Sequence, residues 1–475
     1  MHLRSGAWRD RQRISCDETT LYGAENCACD NFATAPVILA LGDMPEAVGI
    51  GAPARHHAGS ITQTASLMPT GLPAIAMWLV GGAILPLIAD QAFGQSTSSA
   101  MEANAPTTVP PRVTLLAPGM NGVLAFPSDP YALTMGALGK WYVDAAVTGL
   151  GLMQGNRVPG DRGTLLDLSN GQVFLQKVDG WWQFYVQAGA YAIPALGTAY
   201  APYDSIHASG NTYDAVPQAF LKLAPFDNLS LEAGKLPTLI GPESTFTYEN
   251  INIERGLLWN QEPAVSRGAQ GSYTIGPVAI NVSLNDGFYT NRYNWLSGSV
   301  IWSASPHDTV SFDAGGNLGH PSDQETSYAT PAAQNSGAIY NLIYTYNDSP
   351  FIVTPYVQYS NVPRNPQLGI LRNTASYAGA LLISYAINAT VSLAGRGEYI
   401  RTNGNARDGA ANLLYGPGSS AFSLTATPAF MFDRFYVRAE LSYVHVSGLL
   451  PGDSFGSGGS AADQVRALLE GGILF

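Results

Sequence analysis

Three groups of side chains in this sequence could do chemistry. The first is acidic: Glu243, Glu249, Glu254 and Glu262 crowd into residues 237–266 with a single base, Arg255. Enclosed in a narrow watery space with low-dielectric walls, such carboxylates would draw in cations. On a solvated loop they would have no such effect. The second group carries alternating charge: Lys140, Asp144, Arg396, Glu398, Arg438, Glu440, Arg466 and Glu470. Four bases balance four acids, which suits a solute track or a ladder of ion pairs between neighbouring strands, at ~0.2–1 kcal/mol per pair. The third is His445-Val446-Ser447, with Asp453 in the following loop. A base and a nucleophile on one strand face could hydrolyse an ester at a lipid surface. An interfacial histidine is the plainer reading, because His-x-Ser recurs by chance, and no enzyme is expected.

Other chemistries lack their residues. The three cysteines, Cys16, Cys27 and Cys29, all precede residue 30, and no His or Cys stands at zinc spacing from them. No dinucleotide fingerprint or phosphate loop is present, and Gly452–Gly459 (GDSFGSGG) is followed by neither a helix nor a Lys. No metal or cofactor is therefore expected. A net charge of -12 argues against nucleic acid as a partner.

Composition narrows the elements that could position these residues. Charged residues make up 12% of the chain, against ~25% in an average soluble domain. Asn, Ser, Thr, Gln and 51 Gly carry the polarity instead, beside 31 Pro and 24 Tyr. The apolar fraction of 46% is too high for a disordered chain. Only one apolar run approaches the ~20 residues of a spanning helix, at 71–89, so a bundle of such helices is excluded. An all-β chain remains.

From Lys140 to Phe475 the sequence divides into about sixteen stretches with period-2 alternation, bounded by Gly, Pro, Asn or Asp. Tight turns such as Asp179-Gly180, Gly276-Pro277 and Asp433-Arg434 alternate with long connections at 153–169, 191–214, 237–266, 287–295, 319–336, 361–375, 401–420 and 447–463. Turns at one end and loops at the other are the layout of a transmembrane antiparallel β-barrel, with periplasmic turns and external loops. In the last strand Val465, Ala467, Leu469, Ile473 and Phe475 share one parity, and Gln464, Arg466 and Glu470 the other. Sixteen strands enclose more space than wall side chains can fill, so the polar parity must face water and the apolar parity lipid. Trp141, Trp181, Trp182, Tyr191, Tyr289, Tyr346, Phe432, Phe435 and Tyr436 stand near strand ends, as interfacial girdles would.

The N-terminal part reads differently. Leu72–Ala89 is apolar and is followed by Ala92-Phe93-Gly94, small residues at the -3 and -1 positions of a secretory cleavage site before Gln95. Residues 68–94 are thus expected to be a signal peptide, and 1–67 an extension outside the native protein. Residues 95–139, rich in Ser, Ala, Thr and Pro, read as a flexible periplasmic lead, and 140–475 as the barrel.

The C-terminal strand ends Gly471-Gly472-Ile473-Leu474-Phe475, and through it the chain resembles bacterial outer-membrane porins. Gly234-Lys235-Leu236-Pro237, followed by Ile240-Gly241-Pro242-Glu243, is similar to the OmpL-like β-barrel porins. The resemblance extends over roughly residues 131–475. It implies passive diffusion of small hydrophilic solutes or ions. It also implies a third loop folded into the pore, its carboxylates facing Arg on the wall, here Glu243, Glu249, Glu254 and Glu262. Such a channel would be mildly cation-selective. The Pro-Glu-Phe-Gly-Gly signature of general porins is reduced here to Pro242-Glu243. Implied partners are outer-membrane lipid and, through the strand ending at Phe475, the barrel-assembly machinery. Monomer and homo-oligomer stay open. The rival reading is a closed structural or adhesin-like barrel, which conductance would separate.

Overall fold

The computed structural model describes residues 124, 130–203, 213–319 and 332–475. The expected signal peptide at 68–94, the extension at 1–67 and most of the lead at 95–139 lie outside the described residues. The strands are β1 (Tyr131–Thr134), β2 (Lys140–Gly155), β3 (Thr164–Lys177), β4 (Trp182–Tyr191), β5 (Gln218–Phe226), β6 (Leu229–Pro237), β7 (Val265–Ile275), β8 (Val278–Asn285), β9 (Trp295–Ser303), β10 (Asp308–Asn317), β11 (Ala338–Asp348), β12 (Phe351–Val362), β13 (Thr374–Ala386), β14 (Val391–Thr402), β15 (Ser420–Phe432), β16 (Phe435–Ser447) and β17 (Asp463–Leu474). Each strand from β2 to β17 pairs antiparallel with the next, and β17 returns to β2 over Val465↔Gly155 to Leu474↔Ala146. Sixteen strands thus close into a barrel. Closure leaves no edge, so backbone N–H and C=O groups are satisfied within the wall, as a hydrocarbon solvent demands. Among the described residues no helix is long and apolar enough to cross a membrane.

The wall is apolar outside and polar inside. On β14 Ser392, Arg396, Glu398 and Thr402 are buried, and Leu393 and Tyr399 between them are exposed. On β16 and β17 Arg438, Glu440, Ser442, Gln464, Arg466 and Glu470 are buried, and Val437, Leu441, Val465 and Leu469 exposed. A soluble barrel would show the reverse. The exposed apolar belt needs lipid as its solvent.

Three expectations need correction. The first hairpin is longer than periodicity suggests, because β3 starts at Thr164 and the connection spans only 156–163. Its register shifts where Gly149 faces Leu168 and Thr148 faces Asn170, leaving Ser169 as the extra residue. A bulge inverts the alternation, so the period-2 pattern is continuous only after it. The lead is not wholly flexible: β1 lies on β2, Tyr131↔Val143 to Thr134↔Lys140. It occupies the same lane as β17, whose end is marked by the Phe475 N–H donating to Ala145 O. Tyr191 and Tyr436 are not girdle residues, because both are buried inside the wall. Trp181, Phe432 and Phe435 are exposed at the turn end, as a girdle requires.

Candidate functional site

The third long connection, between β6 and β7, lies inside the barrel. Nearly every side chain from Glu243 to Glu262 is buried. The loop needs partners for its own polar backbone, and the wall charges supply them. Deepest is the turn at Thr247–Glu249, where Arg438 donates to the Thr247 and Asn250 carbonyls at 2.6 and 2.7 Å. Arg438 also pairs with Glu470 at 2.7 Å, and Glu470 accepts from the Thr247 hydroxyl at 2.5 Å.

Farther along, Glu440 accepts from the N–H groups of Ile253 and Glu254 at 2.5 and 3.0 Å. Glu254 pairs with Arg466 at 2.7 Å and accepts from Ser442. Arg466 reaches a second loop as well, donating to Ala195 O at 2.8 Å. Glu243 pairs with Arg396 at 2.6 Å, while Glu398 accepts from Leu258 N–H at 3.1 Å. Gly256 gives the carboxylates room: a Cβ would lie 2.2 Å from Glu398 Oε1 and 2.8 Å from Glu243 Oε2, so a side chain there would displace them. Gln261 holds the rising limb of the loop by accepting from Ser360 and Ser376.

The eight expected wall residues therefore divide. Arg396, Glu398, Arg438, Glu440, Arg466 and Glu470 come together around the loop. Asp144 is buried elsewhere on the wall beside Gln176, and Lys140 stands exposed at the turn-end rim. A charge ladder across the β17–β2 seam does not form, because Arg466 faces Gln154 there and takes its Oε1 at 2.9 Å. Of the loop residues, Glu243 and Glu254 are ion-paired. Arg255 is turned to Pro194 O at 2.7 Å. Glu249 and Glu262 are buried, and among the described residues no salt bridge reaches them.

Burial pushes the Glu249 carboxyl up to about 8 from an ordinary 4.5, although it accepts from Phe246 N–H and Arg255 is near. The group sits on the loop in the lumen, outside the spanning strands. Between about 4.5 and about 8 the unfolded chain releases this proton and the folded chain keeps it. Stability from this group therefore falls as pH rises through that window. Glu249→Gln should match wild type at pH 4 and unfold at a higher temperature than wild type at pH 9. The loss of compact mobility on heating, followed on gels at both pH values, checks this. A difference that does not vary with pH would refute it.

The family described as "Putative beta-barrel porin-2, OmpL-like" matches residues 141–475. The chain belongs to this porin family. It is accordingly an outer-membrane channel protein, and the exposed belt of the barrel meets outer-membrane lipid. No curated protein matches the sequence. Similar solved structures include an anion-selective porin from Comamonas acidovorans, at 11% identity and a TM-score of 0.47, covering 70% of this chain and 99% of that one. The outer-membrane channel DcaP of Acinetobacter baumannii is similar at 10% identity and a TM-score of 0.48, over 70% and 97%. OmpT of Vibrio cholerae, an outer-membrane protein, is similar at 10% and 0.47, over 73% and 100%.

Sequence reasoning missed several residues that seat the porin loop. Asn170 donates to Thr247 at 2.6 Å, Gln187 to Tyr248 at 3.2 Å, and Asn252 to Thr427 at 2.7 Å. For Asn170, Gln187 and Thr427, polarity on inward parity was the available signal, although nothing in it names the partner. Asp453, taken as a companion of His445, instead accepts from Asn412 at 2.9 Å.

Proposed function

We propose that this porin passes small hydrophilic solutes and ions by passive diffusion, with residues 237–266 as its constriction and a mild preference for cations. The observation that carries the reading is the loop itself, folded inward and fixed by Arg396, Arg438 and Arg466. Its path leaves the inner face of β7–β9 lined with neutral polar groups, Gln270, Asn281, Ser283, Ser297 and Ser299, with the buried carboxyl of Asp313 beside them on β10. Between the loop ends and this wall lies a small polar recess lined by Thr238, Ser266, Ser283, Asn285 and Ser297 among others.

Charge supports the cation preference. In and around the loop eight carboxyl groups (Glu243, Glu249, Glu254, Glu262, Asp313, Glu398, Glu440 and Glu470) meet four guanidinium groups (Arg255, Arg396, Arg438 and Arg466). The guanidinium groups offset four of these carboxyls and Glu249 keeps its proton up to about 8, which is why the preference is mild.

Purified protein in planar bilayers should give stepwise, ohmic conductance, with reversal potentials on the cation side. Changing Glu243, Glu249, Glu254 and Glu262 to Gln leaves four acids facing four bases, so the cation preference should disappear. The wild-type preference should weaken in 1 M salt, where the Debye length is ~3 Å. Absence of steps would overturn the channel reading, and identical selectivity in the two proteins would remove the loop from the conduction path. The strand ending at Phe475 is the segment we assign to the barrel-assembly machinery, and 68–94 the segment removed on export.

A further inference from the structure

The outer wall carries a second arrangement that conduction does not use. His445 on β16 and Asp463 on β17 are direct cross-strand partners, with His445 Nδ1 2.8 Å from Asp463 Oδ1. On the other side of the ring, His445 Nε2 lies 3.3 Å from Ser447 Oγ. The Tyr443 hydroxyl donates to Asp463 at 2.5 Å, and the Phe422 ring packs 5.4 Å from the imidazole. Val444, Val446 and Gln464, which alternate with these residues, are buried, so all three members of the chain face outward. The His445 side chain is 35% exposed. Toward the turn end, the same outer face continues through Tyr443 and Phe422 to the exposed Leu424, Leu441, Val465 and Leu469. The three residues therefore stand just above the lipid belt at the loop end, where aromatic rings mark the interface and the acyl esters of a membrane lipid lie.

We propose that Ser447, His445 and Asp463 form an acyl-ester hydrolase site on the outer wall, acting on lipids of the outer leaflet. Asp463 accepts a hydrogen bond from Nδ1–H and so presents Nε2 as the base, the relation that makes a serine nucleophilic. Ser447 Oγ bonds to the ester carbonyl carbon and passes its proton to Nε2. The tetrahedral intermediate then collapses, the carbon–oxygen bond to the glycerol side breaks, and the leaving alkoxide takes that proton. Water repeats the sequence on the acyl-serine, giving its proton to His445, and the free fatty acid leaves as Ser447 is restored. Water is the only co-reactant, and no oxidant or reductant is needed.

Charge on the intermediate needs donors, and the chain supplies candidates beside the nucleophile. Gly448 follows Ser447 with φ +67°, where the strand ends. The N–H groups of Gly448 and Leu449 donate to no described residue. The amide after a nucleophile is a common oxyanion donor. Asp463 is the positioning residue of the set, and Ser447 and His445 are the catalytic ones. A Ser–His separation of 3.3 Å is ordinary for a site without substrate.

The test uses purified full-length protein in mixed micelles of phosphatidylethanolamine and a nonionic detergent, with released fatty acid and lysolipid measured by mass spectrometry. Folding of every variant is checked by compact gel mobility. Wild type should release both products, and Ser447→Ala should lower the rate about 100-fold or more. A fluorophosphonate probe should label Ser447 in wild type and leave His445→Ala unlabelled. In Asp463→Asn the labelling rate should fall at least 10-fold with folding intact, which a merely structural partner would not produce. The proposal is overturned by absence of release from folded wild type, by equal release in Ser447→Ala, or by labelling that does not depend on His445.

Discussion

Replacing Arg396 and Arg466 together by Ala is expected to raise single-channel conductance several-fold. Each guanidinium is buried and holds one loop carboxylate, Glu243 at 2.6 Å and Glu254 at 2.7 Å. Removing one partner of a buried pair leaves a charge with no compensation, at a cost of ~3–5 kcal/mol. The stranded carboxylates regain hydration most simply when the loop leaves the wall. Arg396 also donates to Glu254 O, and Arg466 to Ala195 O, so two inward segments lose anchors at once. The barrel should survive, because both residues sit in strands whose ladders are made by backbone groups. Lys at both positions restores charge without the forked geometry and should give intermediate conductance. Recordings of the three proteins, with compact gel mobility as the folding control, decide it. An unchanged step size in the Ala variant would show that the loop holds without these pairs.

The second large effect is at the seam. Gly472 faces Thr148 across the β17–β2 pairing, and a Cβ there would lie 2.2 Å from Val147 O and 2.6 Å from Thr148 Cα. Both obstacles are backbone, which cannot rotate out of the way. Gly472→Ala should therefore block closure of the last strand on the first, and lower the yield of folded barrel at least 10-fold. Gly155→Ala, on β2 with open space around its Cβ position, should fold like wild type. Heat-modifiable mobility and protease resistance of outer-membrane fractions measure the difference. Equal yields of the two variants would mean that strand separation at the seam absorbs a methyl group.

Much of the architecture was legible because a strand repeats every two residues and its ends carry turn chemistry. Asp179-Gly180 and Gly276-Pro277 mark hairpins by their own preferences, and the order of short and long connections then fixes which end is which. The parity of Arg396, Arg438 and Arg466 was readable for the same reason. The pairings were not. Glu243 meets Arg396, and Glu254 meets Arg466, only because a loop with no periodicity turns inward, and the resemblance to porins rather than any local pattern suggested it. Ser169 hid the start of β3, since one extra residue inverts the alternation. Asp463 was passed over for Asp453 because distance along the chain is a poor guide to cross-strand partners; the register His445↔Asp463 depends on where β17 begins. Lys140 had the right parity and too little depth, a quantity that alternation does not encode.

The loop-to-wall pairs also determine what a passing ion feels. A lone carboxylate acts through a field that falls with the square of distance. Glu243 with Arg396, Glu254 with Arg466 and Glu470 with Arg438 are instead short dipoles, whose fields fall with the cube and cancel further where neighbours point in different directions. On the proposed path, an ion travelling along β7–β9 meets neutral polar groups. It senses charge on reaching the loop and Asp313 beside it. On this reading, discrimination is a matter of contact around the loop rather than of a field spread along the whole approach.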